Sequence, residues 1–128
     1  MPMQLIRRKV NSDGTVQADL IIPQGDDVTL MITVMQSAVP VPLTSYHAKA
    51  EVRATVGGAL LLAFDSTASP STIVIDGTAG TITLSQLAAT TAALAPGTYA
   101  WDLEWTDASG VVTTIMRGRC TIVAEVTT

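Results

Sequence analysis

From Tyr99 to Thr106 the chain reads Tyr-Ala-Trp-Asp-Leu-Glu-Trp-Thr, with bulky apolar residues at every second position, and the run stops at Asp107-Ala108-Ser109-Gly110. A period of two sends alternate side chains to opposite faces of a pleated strand, so this segment is a half-buried strand entering a hairpin. Both tryptophans and one of the two tyrosines fall within it, although aromatics are only 4% of the chain. Tyr99, Trp101, Leu103 and Trp105 are therefore the expected core anchors. With Asp107 to Gly110 as the loop, Trp105 faces Val112, Leu103 faces Thr114 and Trp101 faces Met116 on the inner side, while Ala100 faces Arg117 on the outer side. That register sets Arg117 diagonal to Asp102, with Arg119 further along the same outer face.

The rest of the chain carries the same punctuation. Met3 to Val10 reads as a first strand or an extended arm, and Ser12-Asp13-Gly14 turns it into a strand from Val16 to Ile22. Pro23-Gln24-Gly25-Asp26 breaks the pattern. From Asp27 to Gln36, Val28, Leu30, Ile32 and Val34 alternate with Thr29, Met31, Thr33 and Met35, which leaves Met31 and Met35 on the outer face. Val39-Pro40-Val41-Pro42-Leu43 belongs in a loop or at a sheet edge, since proline cannot donate to a ladder.

His47, Lys49, Glu51 and Arg53 share a polar face against Ala48, Ala50 and Val52. Gly57-Gly58 turns into Ala59 to Ser66, and Asp76 to Gly80 forms a hairpin or bend between Thr72–Ile75 and Thr81–Leu84. Ser85 is the expected cap of a short helix that Ala95-Pro96-Gly97 ends. These elements predict an all-β chain, an immunoglobulin-like antiparallel β-sandwich of about 7–9 strands with one short helical crossover near residues 85–94. Residues 1–19 are an N-terminal arm or first strand, and 20–128 the sandwich domain.

Composition bounds what such a domain can do. Charged residues are 14% of the chain, against about 25% in ordinary soluble domains, and the mean hydropathy is +0.41. The exterior is then either rich in Thr and Ser or partly hidden in an assembly. A net charge of −4 argues against nucleic acid as a direct partner. Asn11 to Gly14 stands where a signal peptide needs its apolar stretch, and the longest apolar run, Ala59 to Phe64, is six residues, so neither an export signal nor a membrane span of about 20 residues is expected.

The residues that could carry chemistry are few. His47 is the only histidine and sits mid-strand on the polar face, where a solvated residue is expected rather than a catalytic base. Cys120, the only cysteine, alternates with Gly118 and Ile122 on the inner face and is expected to be inert; it excludes an intrachain disulfide. Asp102 with Glu104, or Asp26 with Asp27, could form an acid/base pair or bind calcium, but no loop has the oxygen density calcium needs. Surface charge pairing is the competing reading, with Arg117 as partner. No catalytic, cofactor-binding or metal-binding residue is assigned. Arg7, Arg8 and Lys9 form the one basic run, and with Met31 and Met35 they are the candidate assembly contacts.

Several segments together carry a resemblance: Gln24-Gly25-Asp26-Asp27 entering a strand, Ala48 to Arg53 after Pro42-Leu43-Thr44, Gly58 to Leu61, Ile75 to Leu84, and Ala95 through Asp107. Over roughly Leu20 to Val126 the chain resembles small immunoglobulin-like structural proteins of tailed bacteriophages and prophages, similar in plan to the N-terminal domain of upper baseplate proteins. The long C-terminal stalk and receptor-side domains of those proteins are not expected from these residues. The resemblance implies a non-enzymatic virion component in the tail, baseplate or fibre-attachment region, or a decoration (cement) protein on the capsid. Its partners would be other virion proteins, in a homo-oligomer or symmetric array, and its location the virion. A carbohydrate- or host-surface-binding module, with Tyr99, Trp101 or Trp105 as stacking platforms, is the alternative from a different class.

Overall fold

Alternating apolar positions can be buried only if a second layer covers them, and the chain supplies that layer from strands lying between residues 28 and 86. The computed structural model describes residues 4–10, 12, 14–36 and 38–125, without the side chains of residues 4 and 7–10. In chain order the elements are β1 (Gln4–Val10), β2 (Val16–Pro23), β3 (Val28–Thr33), β4 (Met35–Gln36), β5 (Val39–Pro40), β6 (His47–Arg53), β7 (Leu60–Asp65), β8 (Ile73–Asp76), β9 (Thr81–Gln86), α1 (Ala88–Ala92), β10 (Gly97–Thr106) and β11 (Val112–Val123). The fold is an all-β sandwich. Nine of the described strands have four or more residues, and β4 and β5 are two-residue pieces where Pro40 and Pro42 limit pairing.

A six-stranded sheet runs β1-β2-β11-β10-β6-β7, and a three-stranded sheet runs β3-β9-β8. Neighbours are antiparallel except β2 and β11, which pair in parallel. Ala18, Leu20, Ala50, Phe64, Trp101 and Leu103 from the large sheet meet Val28, Ile32, Ile73, Ile82 and Leu84 from the small one in a single buried cluster. The first 19 residues supply β1 and the start of β2, so the expected boundary at 19/20 falls inside a strand of the large sheet.

The alternation of β3 and of β6 is as the residues predict: Val28 and Ile32 are buried against exposed Thr29, Met31 and Thr33, and Ala48, Ala50 and Val52 are buried against His47, Lys49, Glu51 and Arg53. Asp76 to Gly80 is a hairpin turn, held by the Asp76 carboxylate accepting from the N–H groups of Thr78 (3.1 Å) and Ala79 (3.0 Å). Gly80 has φ +70°, and a Cβ there would lie 2.5 Å from the Val41 carbonyl oxygen, so the turn needs glycine on both counts.

The helix is shorter than expected and is capped from elsewhere. Ser85 and Gln86 complete β9, Leu87 occupies the N-cap position without a side-chain cap, and the Asp27 carboxylate accepts from Ala88 N–H at 2.6 Å. Thr91 donates to the Asp26 carbonyl at 2.7 Å. An acceptor 61 positions away thus does the work expected of Ser85.

The closing hairpin also departs from the expected register. Asp107 Oδ1 accepts from Ser109 N–H (2.9 Å) and Val111 N–H (3.0 Å), and Asp107 N–H donates to the Val111 carbonyl (3.0 Å), so Val111 joins the loop and pairing begins at Thr106 with Val112. A bulge then leaves Ile115 without a partner. Consequently Trp105 faces Thr113, Leu103 faces Met116, Trp101 faces Gly118 and Ala100 faces Arg119, while Arg117 lies directly opposite Asp102 rather than diagonal to it.

Candidate functional site

The corrected register explains how the largest side chain of the core is seated. Trp101 is 3% exposed, and because Gly118 opposite it has no side chain, the indole passes to the strand beyond and donates Nε1–H to the Ala18 carbonyl at 2.9 Å. A Cβ on Gly118 would collide with that same carbonyl. The parallel ladder is interrupted here, between Arg117–Gln17 and Cys120–Leu20, and Arg119 N–H turns to Asp19 Oδ1 at 3.3 Å. Leu103 is likewise fully buried. Tyr99 and Trp105 are half-buried and pack against the core rather than inside it. Trp105 meets Tyr46 edge to face, with centroids 5.3 Å apart, and Tyr99 Oη donates to the Ala95 carbonyl at 2.8 Å.

Cys120 is buried, and desolvation pushes its thiol up to about 12, so no thiolate forms near neutral pH. His47 is exposed at the start of β6, in register with Thr106. Asp27 is a helix cap. Among the described residues no three His, Cys, Asp or Glu side chains are grouped to hold a metal ion, and no helix is long and apolar enough to cross a membrane.

The assembly candidates are dispersed. Met31, on the outer face of β3, is 65% exposed, and Met35, in β4, is 51% exposed. Arg7, Arg8 and Lys9 lie on β1 at the edge of the large sheet, and their side chains fall outside the described residues. Met31 shares register partner Thr83 with Val74 of β8, so one row across the small sheet reads Met31–Thr83–Val74 with Val74 62% exposed.

The outer face of the large sheet holds a depression of about 740 Å³ that the sequence reading did not anticipate. Its floor has two cross-strand rows: Arg53–Ala100–Arg119, and Glu51–Asp102–Arg117–Gln17. The turn from Ala54 to Gly57 forms one rim. Arg53 is held in place, donating from Nη1 to the Gly58 carbonyl (2.9 Å) and from Nη2 to Glu51 Oε1 (3.0 Å). Lys49 Nζ reaches the other Glu51 oxygen at 3.9 Å. The Asp102 carboxyl is pushed above its ordinary range, first by desolvation and then by the charge of Glu51, with Arg53 opposing. Asp102 therefore responds to β6 beside it as well as facing Arg117. Ala100 marks the slot in the sequence, as a small residue among the polar outer positions of β10, but its neighbours depend on the bulge at Ile115.

Compared with known proteins, the chain matches no protein-family model and no curated protein sequence.

Proposed function

We propose that the chain is a non-enzymatic structural component of a tailed-bacteriophage particle, an immunoglobulin-like module that works by packing against other particle proteins in the tail, baseplate or fibre-attachment region. The observation that carries the reading is the outer face of the small sheet. There Met31 and Val74 stand exposed among Thr29, Thr33 and Thr83. A face with adaptable apolar side chains and no charge in its central row loses little when it is desolvated against a partner.

The strand order supports the immunoglobulin-like plan. β11, β10, β6 and β7 occupy the places of strands G, F, C and C′, and β3, β9 and β8 those of B, E and D. Tyr99, near the start of the F-like strand, bonds back to Ala95 as in a tyrosine corner. Trp101, two residues on, stands where antibody domains carry their second cysteine. Two of the segments that resemble phage structural proteins, Ile75 to Leu84 and Ala95 through Asp107, hold the β8–β9 turn and β10.

The test is to purify particles from cells that make the chain and to look for it by mass spectrometry and cryo-electron microscopy. Many symmetric copies are expected, and Met31→Asp with Val74→Asp is expected to reduce incorporation at least about tenfold while stability stays within about 0.5 kcal/mol per substitution. A soluble monomer absent from the particles overturns the reading.

A further inference from the structure

We propose that the slot over Ala100, between Arg53 and Arg119, binds a single carboxylate presented by an extended peptide segment of a neighbouring protein, with a basic side chain two residues further along. This rests on the reading of the chain as an assembly module and names the chemistry of one contact. Arg53 and Arg119 are the register partners of Ala100 on either side. At about 4.8 Å per strand, their backbones stand about 10 Å apart across a methyl floor, room for one carboxylate between two guanidinium groups.

Arg53 is already oriented by Gly58 and Glu51, which use two of its five N–H donors. The Arg119 side chain has no hydrogen bond or ion pair among the described residues. A carboxylate would meet one donor group held in place and a second free to close over it. The neighbouring row sets the rest of the specificity. Glu51 and Asp102 lie two residues along β6 and β10 on the same face, about 7 Å away, with Arg117 beyond them on β11, so the β6 side of that row repels a second acid and attracts a base.

Polyanions are disfavoured because the chain is net negative and Glu51 and Asp102 stand among the three arginines that line the depression. A peptide that alternates acid and base in an extended conformation satisfies both rows.

The experiment titrates the labelled full chain with three blocked pentapeptides, Ser-Glu-Ser-Lys-Ser, Ser-Glu-Ser-Glu-Ser and Ser-Gln-Ser-Lys-Ser, and with tetragalacturonate, following the Ala100 methyl and Arg119 Nε signals by NMR. The Glu/Lys peptide is expected to give saturable shifts at both. Its affinity should fall at least about tenfold in Arg119→Gln, the loss of a charge-assisted bond, with the rest of the spectrum unchanged; Arg119→Lys should restore part of it. No saturable shift, equal binding of the Gln/Lys or Glu/Glu peptide, or tighter binding of tetragalacturonate overturns the proposal. A slot that takes the Glu/Lys peptide in a chain absent from particles removes the particle reading alone. A chain incorporated into particles whose slot ignores the peptide removes this proposal alone.

Discussion

The two sheets bury the same kind of inner face and present opposite outer ones. All seven Lys and Arg residues of the chain lie on strands of the six-stranded sheet, three on β1 and two each on β6 and β11. On β3, β8 and β9 the sole charged residue is Asp76. The low overall charge is thus an average over two unlike surfaces. A charged outer face selects by complementary charge, whereas the Thr, Met and Val face of the small sheet, with Asp76 at its end, selects by shape and by the low cost of desolvation.

The sheets differ inside as well, which is where the largest effects are expected. The large sheet is crossed by a side-chain tie, Trp101 to Ala18 over Gly118. The small sheet shares the apolar core and adds polar contacts to the rest of the fold, such as Gln86 donating to the Ala63 carbonyl at 2.8 Å. Trp101→Ala opens a cavity and strands the Ala18 carbonyl, and should cost about 3–5 kcal/mol in urea denaturation. Gly118→Ala should cost about 1–3 kcal/mol or more, because backbone rather than a flexible side chain must give way. Thr83→Ala, on the outer face of the small sheet, should stay within about 0.5 kcal/mol. Equal losses at Trp101 and Thr83 would erase the distinction.

The link between the sheets sharpens it further. The chain leaves the small sheet through α1 and enters β10 past Ala95, whose carbonyl accepts from the Tyr99 hydroxyl. Tyr99→Phe keeps the ring and removes that bond, with an expected cost of about 0.5–1.5 kcal/mol in the same measurement. A cost near that of Trp101→Ala would mean that the corner, not the tie across the large sheet, holds the sandwich together.

What could be read from the residues divides along local and non-local lines. The faces of β3 and β6 and the Asp76 to Gly80 hairpin follow from patterns a few residues long, and the structure has them. The cap on α1 comes from Asp27, across the fold, and no local signal marks it. The closing hairpin failed through two single-residue events: Asp107 gathering Val111 into the loop, and Ile115 bulging out. Together they shift the partners of Leu103, Trp101 and Ala100 by two positions. The slot over Ala100 is closed by Arg119 rather than by Arg117 for the same reason, and Arg117 falls in the next row, opposite Asp102.

The smallest effects lie in the acids of the large sheet, and they should have opposite signs. The Asp65 carboxyl is pulled below its ordinary value of 3.8, chiefly by the Thr67 N–H (2.8 Å) and hydroxyl (2.7 Å) bonds. Its contribution is present above pH 3.8 and is lost as pH falls through the lower folded value, so Asp65→Asn destabilises at pH 7 and costs less in acid. Asp102 is raised, by desolvation first and by Glu51 second. Folding then favours its protonated form: the contribution is present below pH 3.8 and is lost as pH rises through the higher folded value. Asp102→Asn should stabilise at pH 7, and the gain should vanish in acid. Solvent screens both groups, so each change should stay within about 0.5 kcal/mol, read as the difference between urea midpoints at pH 7 and pH 3. Were both substitutions to move stability in the same direction at pH 7, the large sheet's outer face would act as a uniform screened surface, and its contrast with the small sheet would be one of charge number alone.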